Sequence, residues 1–188
     1  MNDPGARGPD TLRLFFALWP SDRERGALAI ATGAAVAQVD GQAVPVGNLH
    51  VTLAFLGSVP GETIARLIEI GGQADGAPIG LEFERLEYWS RPKVLVAIPT
   101  CTPVEGVELV ERLWQRIEPL GIEREKRPWH PHLTLVRRVR HPPPEGLRIS
   151  AGPPSPPAAD RYGLALVEST THASGARYKP IAEWRLGT

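Results

Sequence analysis

The sequence predicts a fold that mixes helices with antiparallel strands, and three observations carry that expectation. Short apolar or alternating runs are separated by Ala-rich or amphipathic stretches, in the order β-α-β-α-β-β-α-β with two more strands to follow. Two pairs of strand runs are joined by hairpin-like turns, at residues 90–92 and around residues 174–175, so neighbouring strands run antiparallel. The tetrad His-x-Thr-Leu occurs twice, as His50-Val51-Thr52-Leu53 and as His132-Leu133-Thr134-Leu135, each inside an alternating run.

Residues 12–19 (LRLFFALW) suit a buried strand that ends at Pro20. Ser21 and Asp22 supply helix caps, and the Ala-rich residues 23–38 are the helix they start. Pro45-Val46-Gly47-Asn48 signals a turn before the strand at 49–56, which carries the first tetrad and is closed by Gly57. Gly61-Glu62 opens a second helix with Ile64, Leu67 and Ile68 on one face, and Gly71-Gly72 stops it. Residues 81–89 and 93–99 form a hairpin, and residues 104–120 a third helix with Val107, Val110, Leu113, Trp114 and Ile117 at helical spacing. Residues 132–139 hold the second tetrad, and 164–169 with 178–186 form the last hairpin.

Residues 141–158 contain seven prolines, too many for a helix or a central strand, and too little chain follows for them to link two domains. We therefore expect residues 1–188 to form one compact domain, with a flexible polar leader over 1–10 and a surface loop over 141–158. Hydrophobic residues at 42% and charged residues at 22% are near the globular average. No apolar run is long enough to span a bilayer and no secretory signal opens the chain, so a cytoplasmic protein with no membrane partner is expected. The single Cys101 cannot form an internal disulfide. Lys+Arg and Asp+Glu balance at 21 each, which argues against a long nucleic acid gripped mainly by its backbone. A local basic run (Arg124, Lys126, Arg127, Arg137, Arg138, Arg140) surrounds the second tetrad, against Glu123 and Glu125, and reads equally as a solvated surface or as an anion-steering patch.

On a strand, residues i and i+2 share a face, so His50 stands beside Thr52 and His132 beside Thr134. Val51, Leu53 and Phe55, like Leu133 and Leu135, point the other way. The histidines lie 82 positions apart, and strand, helix and His-x-Thr strand recur around them. If that echo is a duplication, two lobes face each other across a cleft with the polar pairs opposed. Two imidazoles that titrate near neutrality can divide the roles of base and acid in cleaving a phosphodiester. The threonine hydroxyls can donate to the non-bridging phosphate oxygens. Arg137 is the nearest guanidinium to share the phosphate charge, although on a regular strand it lies opposite Thr134 and needs a bulge or strand end to reach the site. His130 and His132, with His141 and His172, offer a competing metal-binding use, but no Cys pair, HExxH or carboxylate cluster accompanies them, and no metal or cofactor is expected. Nor does the chain carry G-x-S-x-G, a Walker loop or GxGxxG.

LRLFFALWP, NLHVTLAFLG, KVLVAIP, RPWHPHLTLVR, LVEST and YKPIAEWRL resemble, in order and spacing, the two-histidine phosphoesterases, specifically the bacterial RNA 2′,3′-cyclic phosphodiesterases also called 2′-5′ RNA ligases. The resemblance spans nearly the whole chain. It implies a bilobal α+β fold, two antiparallel sheets related by a pseudo-two-fold around a central cleft, with helices on the outer faces. It also implies hydrolysis of RNA 2′,3′-cyclic phosphate ends to 2′-phosphomonoesters by a monomer without metal or cofactor, and the reverse 2′-5′ ligation. His50 would be the proton donor to the leaving O3′, His132 the proton acceptor that activates water, and Thr52 and Thr134 the phosphate holders. The Pro-rich insertion and the Arg-rich segment depart from the family pattern. Open alternatives are a 2′-5′ oligonucleotide or small cyclic-nucleotide phosphodiesterase and a non-catalytic nucleotide-binding module. Phe15, Phe16, Trp89 and Trp129 are candidates to stack on a base.

Overall fold

The computed structural model describes residues 11–149, 163–172 and 175–187. The leader at 1–10, most of the Pro-rich stretch and Ser174 lie outside the described residues; its first part, residues 141–149, carries neither helix nor strand. Along the chain run β1 (Thr11–Trp19), α1 (Asp22–Val36), β2 (Gln42–Ala43), β3 (Val51–Pro60), α2 (Ile64–Gly72), β4 (Phe83–Trp89), β5 (Val94–Pro99), α3 (Val104–Ile117), β6 (Leu133–Arg137), β7 (Gly163–His172) and β8 (Gly175–Trp184).

These elements make an α+β fold of two four-stranded sheets, β3-β1-β7-β8 and β2-β6-β5-β4, with every neighbouring pair antiparallel. In each sheet a tetrad strand lies against an earlier strand with a helix between them in sequence, β3 against β1 across α1 (with the short β2 of the other sheet also between) and β6 against β5 across α3. The helices are exchanged. α3 leaves the second sheet but packs Leu109, Val110, Leu113, Trp114 and Ile117 against Leu14, Phe16, Leu18 and Val51 of the first. α1 leaves the first sheet, and its Leu28 and Val36 pack against Leu95, Leu133 and Leu135 of the second.

Local chemistry starts and stops these elements as expected for α1. Ser21 Oγ accepts from the Glu24 amide, and the Glu24 carboxylate accepts from the Ser21 amide at 2.7 Å, a reciprocal cap that satisfies two N-terminal donors. Several boundaries differ from the sequence expectation: β6 is the shorter Leu133–Arg137, and the last hairpin pairs Gly163–His172 with Gly175–Trp184, nearer its turn than expected. Gly57 does not close β3: it takes φ +70° inside the strand, which runs on to Pro60. β2, at two residues, is too short to show any alternation, yet it covers the edge of β6.

Each sheet buries one face against helices and turns the other inward. On the first sheet the inward face carries Phe15, Ala17, Trp19, Ala165 and Val167, with Phe55 and Tyr178 beside them. On the second it carries Val94, Val96 and Ile98, with Trp89.

Candidate active site

Both histidines sit one residue ahead of their strands, where the chain straightens out of a turn. His50 Nδ1 lies 2.7 Å from the Asn48 carbonyl oxygen, and His132 Nδ1 lies 2.9 Å from that of His130. A carbonyl only accepts, so in each neutral ring the proton sits on Nδ1 and the lone pair on Nε2 is left for other work. The two loops thus reach the same solution: a backbone oxygen two residues back fixes both tautomer and ring direction. Around His50 stand Phe15 (ring centroids 4.9 Å apart), Tyr178 (5.0 Å) and Trp19 (5.8 Å). The His132 ring packs against Trp89, centroids 4.6 Å apart and planes tilted by 55°. Both rings therefore lie on the inward faces of their sheets.

Strand register puts the threonines there too. Thr52 pairs with Ala17 and Thr134 with Val96, both inward-facing positions. Directly after each threonine the register slips: Phe16 pairs with Ala54 and Leu95 with Val136, so Leu53 and Leu135 are the extra residues of two matching bulges. Leu53 and Ala54 both point to the helix-covered core, as do Leu135 and Val136. The alternation beyond is inverted. Phe55 consequently joins the inward face rather than following Val51 and Leu53 outward, a correction to the sequence expectation. Arg137, at the same offset from its histidine, has a guanidinium 3.5 Å from the Tyr178 hydroxyl of the opposite sheet.

The electrostatics tie these groups into one locale. Burial pushes the His50 imidazole down from its usual 6.5 to about 4, the Asn48 carbonyl opposes that shift, and Arg137, His132 and Arg25 add to it through their charge. His132 is also lowered, by burial first, with the His130 carbonyl opposing and His130 and Arg137 adding. The site thus favours two neutral imidazoles and holds positive charge near both, an environment suited to an anion. Arg25 acts from behind: its guanidinium stacks 4.5 Å over Trp19, the ring that backs His50, and its Nη2 is buried without a hydrogen-bond partner among the described residues.

The RNA 2′,3′-cyclic phosphodiesterase of Escherichia coli K12 is 30% identical over 151 residues, 78% of this chain and 80% of that protein. The chain belongs to the LigT-like phosphoesterase family. The family's own pattern, described as LigT like Phosphoesterase, matches residues 18–96 and so takes in the first tetrad. The structure of E. coli LigT complexed with 3′-AMP superposes with a TM-score of 0.74 at 27% identity, covering 95% of this chain and 100% of that one. The TT0787 protein of Thermus thermophilus gives 0.69 at 27% identity, covering 92% and 97%.

Of the other candidates in this LigT-like phosphoesterase, some border the two imidazoles and others lie apart from them. His130 rests against Trp89, His141 beside Asp40, and His172 beside Thr170, and no group of three or more His, Cys, Asp or Glu that could hold a metal ion occurs among the described residues. Cys101 is exposed. Within the basic run, Arg124 is paired with Glu111 and Arg140 with Asp40, so the run is in part an ion-paired surface. Among the aromatic candidates, Phe16 is core, Phe15 packs beneath His50, and Trp129 is committed to the backbone of Thr52 through its indole N–H. Sequence reasoning missed Tyr178, Trp19, Arg25 and the two guiding carbonyls. A carbonyl leaves no trace in residue identity, and the three side chains come from distant elements.

Proposed function

We propose that this LigT-like phosphoesterase opens 2′,3′-cyclic phosphates at RNA ends to 2′-phosphomonoesters, with His50 as proton donor and His132 as proton acceptor. The observation that carries the reading is the pair of imidazoles with Nδ1 held by backbone oxygen and Nε2 unclaimed among the described residues, each beside a threonine and both under the charge of Arg137. The name of the E. coli relative supports the substrate.

In this mechanism His132 takes a proton from water as its oxygen attacks phosphorus. The P–O3′ bond breaks and His50 gives its proton to the departing O3′, leaving the phosphate on O2′. Thr52 and Thr134 donate to the non-bridging oxygens, and Arg137 balances the charge that gathers there. The lowered value of His132 suits an acceptor, which must be neutral. His50 must be charged to donate, and an arriving phosphate anion supplies the opposite charge that favours its proton. A 5′-hydroxyl in place of water, attacking in the same direction with O3′ again leaving, gives 2′-5′ joining, and the reverse of those steps cleaves a 2′-5′ linkage back to the cyclic phosphate.

The test is incubation of the protein with a 2′,3′-cyclic mononucleotide in EDTA, with the product identified by chromatography. We expect a 2′-phosphate, and losses of roughly 10² to 10⁴ in rate for His50→Ala and His132→Ala. No turnover, or turnover indifferent to both substitutions, would sink the reading.

A further inference from the structure

We propose that Trp129 is a positioning residue that fixes the second His-x-Thr pair against the first. Its indole Nε1–H donates to the Thr52 carbonyl at 2.9 Å, so the chain entering β6 is fastened to the strand that carries the first tetrad. β3 is the outer strand of its sheet, which leaves its backbone within reach of a side chain from the other lobe.

The ring is held from its other side as well. It lies against α3 at Gly106, where an added Cβ would come within 2.5 Å of the indole, and it belongs to the core between α3 and the first sheet. Its neighbour His130 supplies the carbonyl that orients His132. Pro128 and Pro131 flank this segment and fix φ on either side of it, so a shift at Trp129 is passed on to His132 rather than absorbed. A residue seated in one lobe thereby places an imidazole of the other. The separation of the two imidazoles across a phosphate then depends on one indole hydrogen bond.

This inference rests on the cyclic-phosphodiesterase reading, and the experiment separates the two. In Trp129→Phe an aromatic ring stays, but the hydrogen bond goes and the outer part of the indole against Gly106 goes with it. With a 2′,3′-cyclic mononucleotide we expect kcat to fall about 10- to 100-fold while KM stays within about threefold, since misplacement by an ångström costs about that much in rate. Gly106→Ala, which displaces the ring without touching either tetrad, should give the same split, and the double variant no further loss. A kcat within twofold of the wild type in both single variants, or kcat and KM lost together with the melting temperature, overturns the proposal. Should the wild type itself be inert, that failure belongs to the substrate reading. NMR titration then decides: His132 should return toward the ordinary imidazole value in Trp129→Phe, and an unchanged His132 titration overturns the positioning role.

Discussion

The carbonyl of Asn48 and the carbonyl of His130 do the same thing to two different histidines, and this sets what each ring can exchange with a substrate. Because burial lowers both imidazoles, an anion seated between them should reverse that shift. In an NMR titration, saturating inorganic phosphate should move the His50 midpoint from about 4 toward neutrality; no movement would remove His50 from the anion site. Stability follows from the same value. The folded protein holds His50 neutral down to about 4, whereas the unfolded chain takes its proton near 6.5, so full stability is present above pH 6.5 and is lost as pH falls toward 4. The loss is at most about 1.4 kcal/mol per pH unit. Melting temperature should therefore drop between pH 7 and 5, and drop less in His50→Gln. At this scale both histidines and both threonines were legible as repeated letters with a strand spacing. Tyr178 and Arg25 were not, because nothing in the local sequence marks a residue that meets His50 only after β8 and α1 have packed.

Bulges explain why the tetrad strands obey simple alternation for three residues and then depart from it. The extra Leu53 and Leu135 turn the following residues over, bringing Phe55 inward and Arg137 toward Tyr178. Alternation cannot reveal where an extra residue is stored, which is why the strands were readable and the facing of Phe55 was not. Arg137 does meet the condition its sequence position imposed. Arg137→Ala should lower kcat/KM for a cyclic nucleotide by about 10² if it balances phosphate charge, with Arg137→Lys recovering only part of that, because a point charge replaces a planar fork. Equal activity of all three proteins would assign it to the surface. The helix start at Ser21 was legible to the residue, being a side-chain code. Ser21→Ala should cost about 1 kcal/mol in urea unfolding without changing kcat, since the reciprocal cap with Glu24 lies outside the site.

The exchanged helices join the two sheets into one body, since each core contains pieces from both halves of the sequence. Leu113 illustrates this: it leaves the second sheet on α3 and is fully buried under the first. Leu113→Ala should cost about 2–5 kcal/mol. Unfolding should stay a single transition whether followed near Trp19 on one sheet or Trp89 on the other; two separated transitions would show that the lobes fold independently. The overall architecture was legible because element order and hairpins limit how strands can pair, while the exchange depends on which face each helix finds and has no local signal. β1 adds a consequence for the making of the protein. It lies between β3 and β7, one partner close behind it in the chain and the other near the far end. A chain emerging from the ribosome therefore carries both tetrads well before β7 reaches β1 and β8 brings Tyr178 beside His50. A chain lacking β7 and β8 would hold the reacting letters without the walls that aim them, so competence toward RNA should arrive only after the β7–β8 hairpin has docked.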